Sequence, residues 1–214
     1  MVDIRAIRAH QRAFLDSIKQ RKEPVAYDIE GITIKVNPGV FPPATDTRLL
    51  AANIRTKKGD RTLDLTSGAG SFSIIAGLQG ASGIAVDINP AAVANSNENF
   101  LLQNLQMKAN QSDLFANVPQ EQYDYIFANG PFFEGKIEDP LDYACYGARK
   151  FIDKLFSGVK IRLKKDGRLL VVISAWSDVE HFKKTAQKNN LVVKLTATRK
   201  SNDGEREYKL YQAW

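Results

Sequence analysis

Short apolar runs alternate with helical stretches from residue 62 to residue 214, and this pattern constrains the fold more than any other feature. "TLDL" (62–65) reads as a strand, and the glycine-bearing "TSGAGS" after it opens a helix to about residue 77. "GIAVD" (83–87) is a second strand. A helix follows from Pro90 to about Asn104, with proline in the first turn, where its missing N–H is no loss. "MKANQSD" (107–113) is a weak third strand and "YDYIFA" (123–128) a fourth. The pattern predicts a helix over 142–164, a turn at Lys165-Asp166-Gly167 and a fifth strand at "RLLVVIS" (168–174). Asp178 caps a helix to about Asn189. "LVVKLTATRK" and "REYKLYQAW" flank "SNDGE" as a closing hairpin. Strands separated by helices imply right-handed crossovers, so the expected class is α/β with a mostly parallel sheet. The hairpin makes the last strand antiparallel.

The first 44 residues follow another pattern. Ile4, Ile7, Phe14, Leu15 and Ile18 fall near helical spacing with Arg5, Arg8, Arg12 and Lys19 between them, which predicts a basic amphipathic helix ended by Pro24. "VAYDIEGITIKV" (25–36) reads as a short hairpin turning at Glu30-Gly31. "NPGVFPPATD" (37–46) is an irregular loop, with Thr45 or Asp46 as the cap of a helix to about Arg55. The division expected is an extension, 1–44, and an α/β domain, 45–214. No apolar run approaches the roughly 20 residues of a membrane span, and the N-terminus carries scattered charges instead of an apolar leader. The sole cysteine, Cys145, cannot form an internal disulfide, so the expectation is a cytoplasmic chain with no membrane partner. No motif places a base beside Cys145, His10 or His181, so each reads as a structural side chain, and nothing resembles a metal-ligand cluster. Net charge is +6, which favours an acidic partner such as RNA. The basic residues between 149 and 168 read as a solvated helix face. Nothing in the pattern speaks to oligomeric state.

In sheets of this kind, ligands sit at the carboxyl ends of the strands. Asp64 lies at the end of the first strand, and Gly68 and Gly70 follow where absent side chains let a ligand approach the backbone. The helix start after them favours a carboxylate or phosphate. Asp87, 23 residues beyond Asp64, can accept hydrogen bonds from both hydroxyls of a ribose, and Asp113 can accept from an adenine amine. Together these make a nucleoside site. A dinucleotide fingerprint wants glycine or alanine at position 73, where the chain has Ser73. S-adenosylmethionine (SAM) is the better candidate. It has no phosphates, and its carboxylate and ammonium suit the helix start and Asp64.

"TLDLTSGAGS", "GIAVDINPAAVANSNENFLLQN", "SDLF" and "DYIFANGPFF" resemble the successive motifs of class I SAM-dependent methyltransferases, which have a Rossmann-like sheet. The likeness is greatest to the release-factor glutamine (HemK-like) branch and its relatives that methylate amino groups of adenine or guanine. "GVFPPATDTRLLAANI" (39–54) also resembles the segment before the first motif in that branch. The resemblance adds Phe41, Thr47, Thr66, Ile88 and Leu114, with Asn129, to the cofactor-binding residues. In that family the fourth strand ends Asn-Pro-Pro-Phe/Tyr, which suits a planar nitrogen whose lone pair is delocalised. The resemblance makes Asn129 the acceptor of one N–H and the carbonyl after it the acceptor of the second. It makes Pro131 the corner and Phe132 the stacking ring. Gly130 departs from the family's first proline and Thr66 from its glycine.

The function implied is a SAM-dependent methyltransferase acting on nitrogen of a planar amide or amine, on RNA or a translation protein. A small-molecule methyltransferase acting at nitrogen, oxygen or carbon is the alternative, with the N-terminal helix as a lid. An inactive SAM-binding interaction module and NAD-dependent redox chemistry are further alternatives.

Overall fold

A computed structural model describes the backbone of residues 4–214 and the side chains from residue 9 onward. The strands β3 (Arg61–Asp64), β4 (Ser82–Asp87), β5 (Lys108–Gln111), β6 (Tyr123–Ala128), β7 (Leu163–Ser174), β8 (Val193–Lys200) and β9 (Glu207–Ala213) form one sheet. Their order is β5-β4-β3-β6-β7-β9-β8, and only β9 runs against the rest. The expected mostly parallel sheet with an antiparallel last strand is therefore present. The chain winds outward from β3 to β5 and then crosses to β6, so the sheet reverses direction of build between β3 and β6. That gap is where an open α/β sheet offers a crevice.

Alternation along the strands splits the interior in two. Phe127, Leu170 and Val172 face one apolar core, packed by α2 (Thr45–Ala51), α3 (Ser71–Leu78) and α4 (Pro90–Leu102). Ile126, Leu169 and Val171 face the other, packed by α5 (Ala148–Val159) and α6 (Val179–Lys188). The hairpin β1 (Val25–Ile29) and β2 (Ile32–Val36) pairs as predicted and buries Ile29, Ile34 and Val36 in the first core.

Three predicted boundaries differ. The helix expected over 142–164 is a 3-10 turn at Pro140–Ala144, then α5, then a second 3-10 turn at Lys160–Arg162. Lys165-Asp166-Gly167 is no turn: β7 passes straight through it. Tyr123 pairs with Leu163 and Tyr125 with Arg168, so five steps of β7 lie opposite two of β6, and a bulge absorbs the surplus. Neither Thr45 nor Asp46 caps α2, which ends at Ala51; Thr47 Oγ1 accepts the Ala44 N–H instead (3.2 Å), and Asp46 is buried.

The helix α1 (Ile4–Gln20) forms as predicted, though the side chains of Ile4, Arg5, Ile7 and Arg8 lie outside the described residues. Leu15 and Ile18 pack on Leu141, Cys145 and Tyr146. Two of the basic residues are tied to carboxylates elsewhere in the chain. Arg12 donates to Asp142 Oδ1 (2.9 Å) and to the Lys136 carbonyl (2.9 Å), and Lys19 reaches Asp142 (3.3 Å) and Asp139. Asp142 is wholly buried and also accepts the Glu138 N–H (2.8 Å). Burial alone would raise its pKa, but these donors outweigh it and hold the carboxyl below the usual range. Its stabilisation is therefore present at neutral pH and is lost as pH falls through the folded-state value. Among the described residues, no helix is long and apolar enough to cross a membrane. Replacing Asp142 with Asn should cost about 1–3 kcal/mol and strip hydrogen-exchange protection from α1. Unchanged protection in that variant would show that α1 is held by its apolar face alone.

Candidate active site at the sheet crevice

The carboxyl ends of β3, β4 and β6 and the loop before α2 enclose one cavity. Each strand end is tied to its neighbour. Leu65 N–H donates to Phe127 O (3.0 Å) and Ser67 N–H to Val86 O (3.0 Å), which carries the ladder into the loop after β3. At Gly70 this loop turns into α3 with φ of 86°. A Cβ there would meet Phe100 Cε1 at 2.9 Å, so both the backbone and the packing of α4 exclude a side chain. Asp87, at the end of β4, accepts from Gly68 N (2.9 Å) on one oxygen and Asn89 N (2.9 Å) on the other. It pins two loops while keeping a lone pair on each oxygen beside the cavity. Burial pushes its carboxyl up, against the pull of the Asn89 and Gly68 amides.

Asn129 stands at the end of β6, held at both its backbone and its side chain. Its N–H donates to Thr66 Oγ1 (2.8 Å), so the threonine that departs from the family's glycine serves as an anchor. Its Nδ2 donates to Asp46 Oδ2 (2.9 Å). Its Oδ1 is buried, has no partner, and belongs to a side chain lining the cavity. The bond from Nδ2 to Asp46 fixes which end of the amide is left without a partner. Burial pushes the Asp46 carboxyl up, opposed first by the Asn129 bond. A buried acceptor left open costs free energy unless a ligand satisfies it.

Most predicted residues meet here. Phe41, Thr47, Thr66, Gly68, Asp87, Ile88, Asp113, Leu114, Asn129, Gly130 and Pro131 all line the cavity. Asp113 sits at its rim in an ion pair with Lys154, which competes for the carboxylate. Leu114 has φ of 50°, a strained conformation for a branched residue, held by Ser112 Oγ donating to its carbonyl (2.7 Å). Gly70 acts one layer behind. Asp64 and Phe132 are not brought in. Asp64 is wholly buried beneath the loop, accepting from Thr66 N (3.4 Å) and Ser73 Oγ (3.2 Å), and does not line the cavity. Phe132 lies beyond Pro131 against Tyr208 (ring centroids 5.8 Å apart). Cys145 is buried with its thiol 3.5 Å from Gln11 Oε1, and burial pushes it up to about 12, which leaves no thiolate for nucleophilic chemistry. Sequence reading missed Asp46 and Phe151, whose ring also lines the cavity.

A glycine loop opening a helix, an acid ending the next strand and an asparagine at the crevice define a class I SAM-dependent methyltransferase. More narrowly, the chain belongs to the family described as "Methyltransferase small domain", whose profile matches residues 31–200. It is 35% identical over 156 residues to a provisionally named protein N5-glutamine methyltransferase of Methanocaldococcus jannaschii, covering 69% of this chain and 79% of the relative. It is 32% identical over 157 residues to ribosomal RNA small subunit methyltransferase C of Chromohalobacter salexigens, covering 70% of this chain but only 44% of that protein. A solved 16S rRNA guanine-N2 methyltransferase of T. thermophilus, bound to SAM and guanosine, superposes with a TM-score of 0.65 at 21% identity over 89% of this chain and 50% of that one. The chain thus spans about half the length of these rRNA methyltransferases.

Burial, before any charge effect, raises the Asp64 carboxyl from 3.8 to about 7. The folded state therefore holds that proton more tightly than the unfolded chain. Its contribution to stability is full below the unfolded value and is lost as pH rises through about 7. Asp64→Asn should flatten the decline of the melting temperature between about pH 5 and about pH 8. Equal slopes for variant and wild type would remove Asp64 as the source.

Proposed function

We propose that this chain N-methylates a planar amide or amine of a translation component, with a protein glutamine as the first candidate, in the cytoplasm. The observation that carries the reading is Asn129, which lines the cavity, whose amide nitrogen is committed to Asp46 and whose buried oxygen has no hydrogen-bond partner. That oxygen accepts one acceptor N–H, and the Gly130 carbonyl accepts the other. With both hydrogens held, the nitrogen is aimed, which is catalysis by orientation. SAM supplies an electrophilic methyl group when bound. Asp87 takes the ribose hydroxyls, Ile88, Asp113 and Leu114 the adenine end, and the loop from Thr66 to Gly70 the methionine end, with Phe41 and Thr47 closing the opposite side. Asp46 is a positioning residue. Residues 45–214 form the catalytic unit and 1–44 an extension to it.

A protein acceptor is favoured because the glutamine-methylating relative is matched over most of its length. Arg12 and Lys19 are also spent on internal ion pairs, which weakens the case for α1 as an RNA-binding surface. Ribosomal RNA is the second reading, supported by the net charge of +6 and the rRNA-methylating relatives.

Transfer of labelled methyl from SAM into fractionated lysate tests the proposal. Label is expected in protein and to survive ribonuclease. Label in RNA, with steeply salt-dependent binding, would establish the second reading. Label in small molecules alone would contradict both. Asn129→Ala should lower turnover by about a hundredfold or more and leave SAM affinity nearly intact. Asp87→Ala should weaken SAM binding by roughly tenfold or more, since a diol loses a charged acceptor. Calorimetry gives both affinities, and unchanged binding to Asp87→Ala would strike out the ribose assignment.

A further inference from the structure

Gly130, where the family pattern has proline, has a partner in space. A Cβ at this position would lie 2.3 Å from Cε1 and Cζ of Phe151 and 2.7 Å from its Cδ1. Phe151 stands in the first turn of α5, its N–H donating to Gly147 O (3.0 Å). Its ring therefore fills the space that any side chain at 130 would need. The half-buried ring also lines the cavity beside Asn129 and Gly130. It also packs against the second apolar core, which holds it in place before any ligand arrives. The ring that the sequence pattern offers, Phe132, is packed against Tyr208 and does not line this cavity.

We propose that Phe151, admitted by Gly130, is the flat wall on which the acceptor's planar nitrogen group rests, and that this pair sets acceptor specificity. The inference rests on the N-methylation reading. An aromatic face suits a planar amide or amine better than an aliphatic side chain does, because it offers contact area over the whole plane at little entropic cost. A proline at 130 would occupy the place of the ring. Glycine keeps the carbonyl that the acceptor needs while vacating the volume, so the departure exchanges a proline ring for an aromatic one.

The test uses the full chain, labelled SAM and whichever lysate fraction, protein or RNA, the wild type labels. Phe151→Ala should raise the apparent KM for that fraction about tenfold, with SAM affinity held within about twofold and a smaller change in kcat. Phe151→Tyr keeps the ring and should recover most of the lost affinity, whereas a merely structural role would not separate KM from SAM affinity in this way. Gly130→Pro should lose transfer through overlap with the ring, and the double change Gly130→Pro with Phe151→Ala should regain part of it, a non-additive result. A wild-type KM in Phe151→Ala overturns the inference, as does full activity in Gly130→Pro alone. Asn129→Ala, run alongside, separates the two levels. If it is inactive while Phe151→Ala keeps its KM, only the wall is wrong; if it remains active, the N-methylation reading fails. A wild type that labels neither fraction removes both.

Discussion

The site hangs on the hydrogen bond from Asn129 Nδ2 to Asp46 Oδ2. It joins α2, on one side of the crevice, to the end of β6 on the other. An asparagine side chain free to turn would present donor and acceptor alike to a substrate. With its nitrogen committed to Asp46, only the oxygen is left without a partner. The bond also explains why a buried carboxylate is tolerated at this place, since Asp46 gains a donor in return for its lost hydration. The Thr66 hydroxyl completes the arrangement by holding the Asn129 backbone, so the oxygen is fixed in position as well as in identity.

Around this bond the sheet supplies order. β6 is buried on both faces, with Phe127 in one core and Ile126 and Ala128 in the other. A strand packed on both sides cannot shift by one residue without turning every side chain into the wrong core. Asn129 is therefore delivered to the crevice by the same packing that stabilises the domain. Asp87 plays the equivalent part on the cofactor side, accepting two backbone N–H groups that shape the loops around it.

The frame was legible in the sequence because its signals are local. The limits of β6, the hairpin at 25–36, the helix begun by Pro90 and the cap at Asp178 follow from alternation, turn residues and side-chain chemistry within a few positions. The site was legible where a motif spans one strand end, as at Gly68, Asp87 and Asn129. What stayed hidden depends on distant partners. Asp46 looks like a helix cap, but its partner lies 83 positions away. Phe132 occupies the motif's aromatic position, yet Tyr208 draws its ring aside. Phe151 carries no motif, and its only trace in the sequence is the missing bulk at Gly130. Lys165-Asp166-Gly167 has turn chemistry, but pairing on both sides of it overrides that chemistry and leaves a bulge.

The chemical identity of the methylated atom tests this account most directly. Acceptor labelled by the wild-type chain is isolated, digested and fragmented by mass spectrometry to locate the new methyl group. The role proposed for Asn129 predicts it on nitrogen of a planar amide or amine, with a side-chain glutamine amide as the expected position. A methyl group on oxygen or carbon would contradict the account, because neither atom offers the two N–H groups that the proposed role of Asn129 and Gly130 calls for.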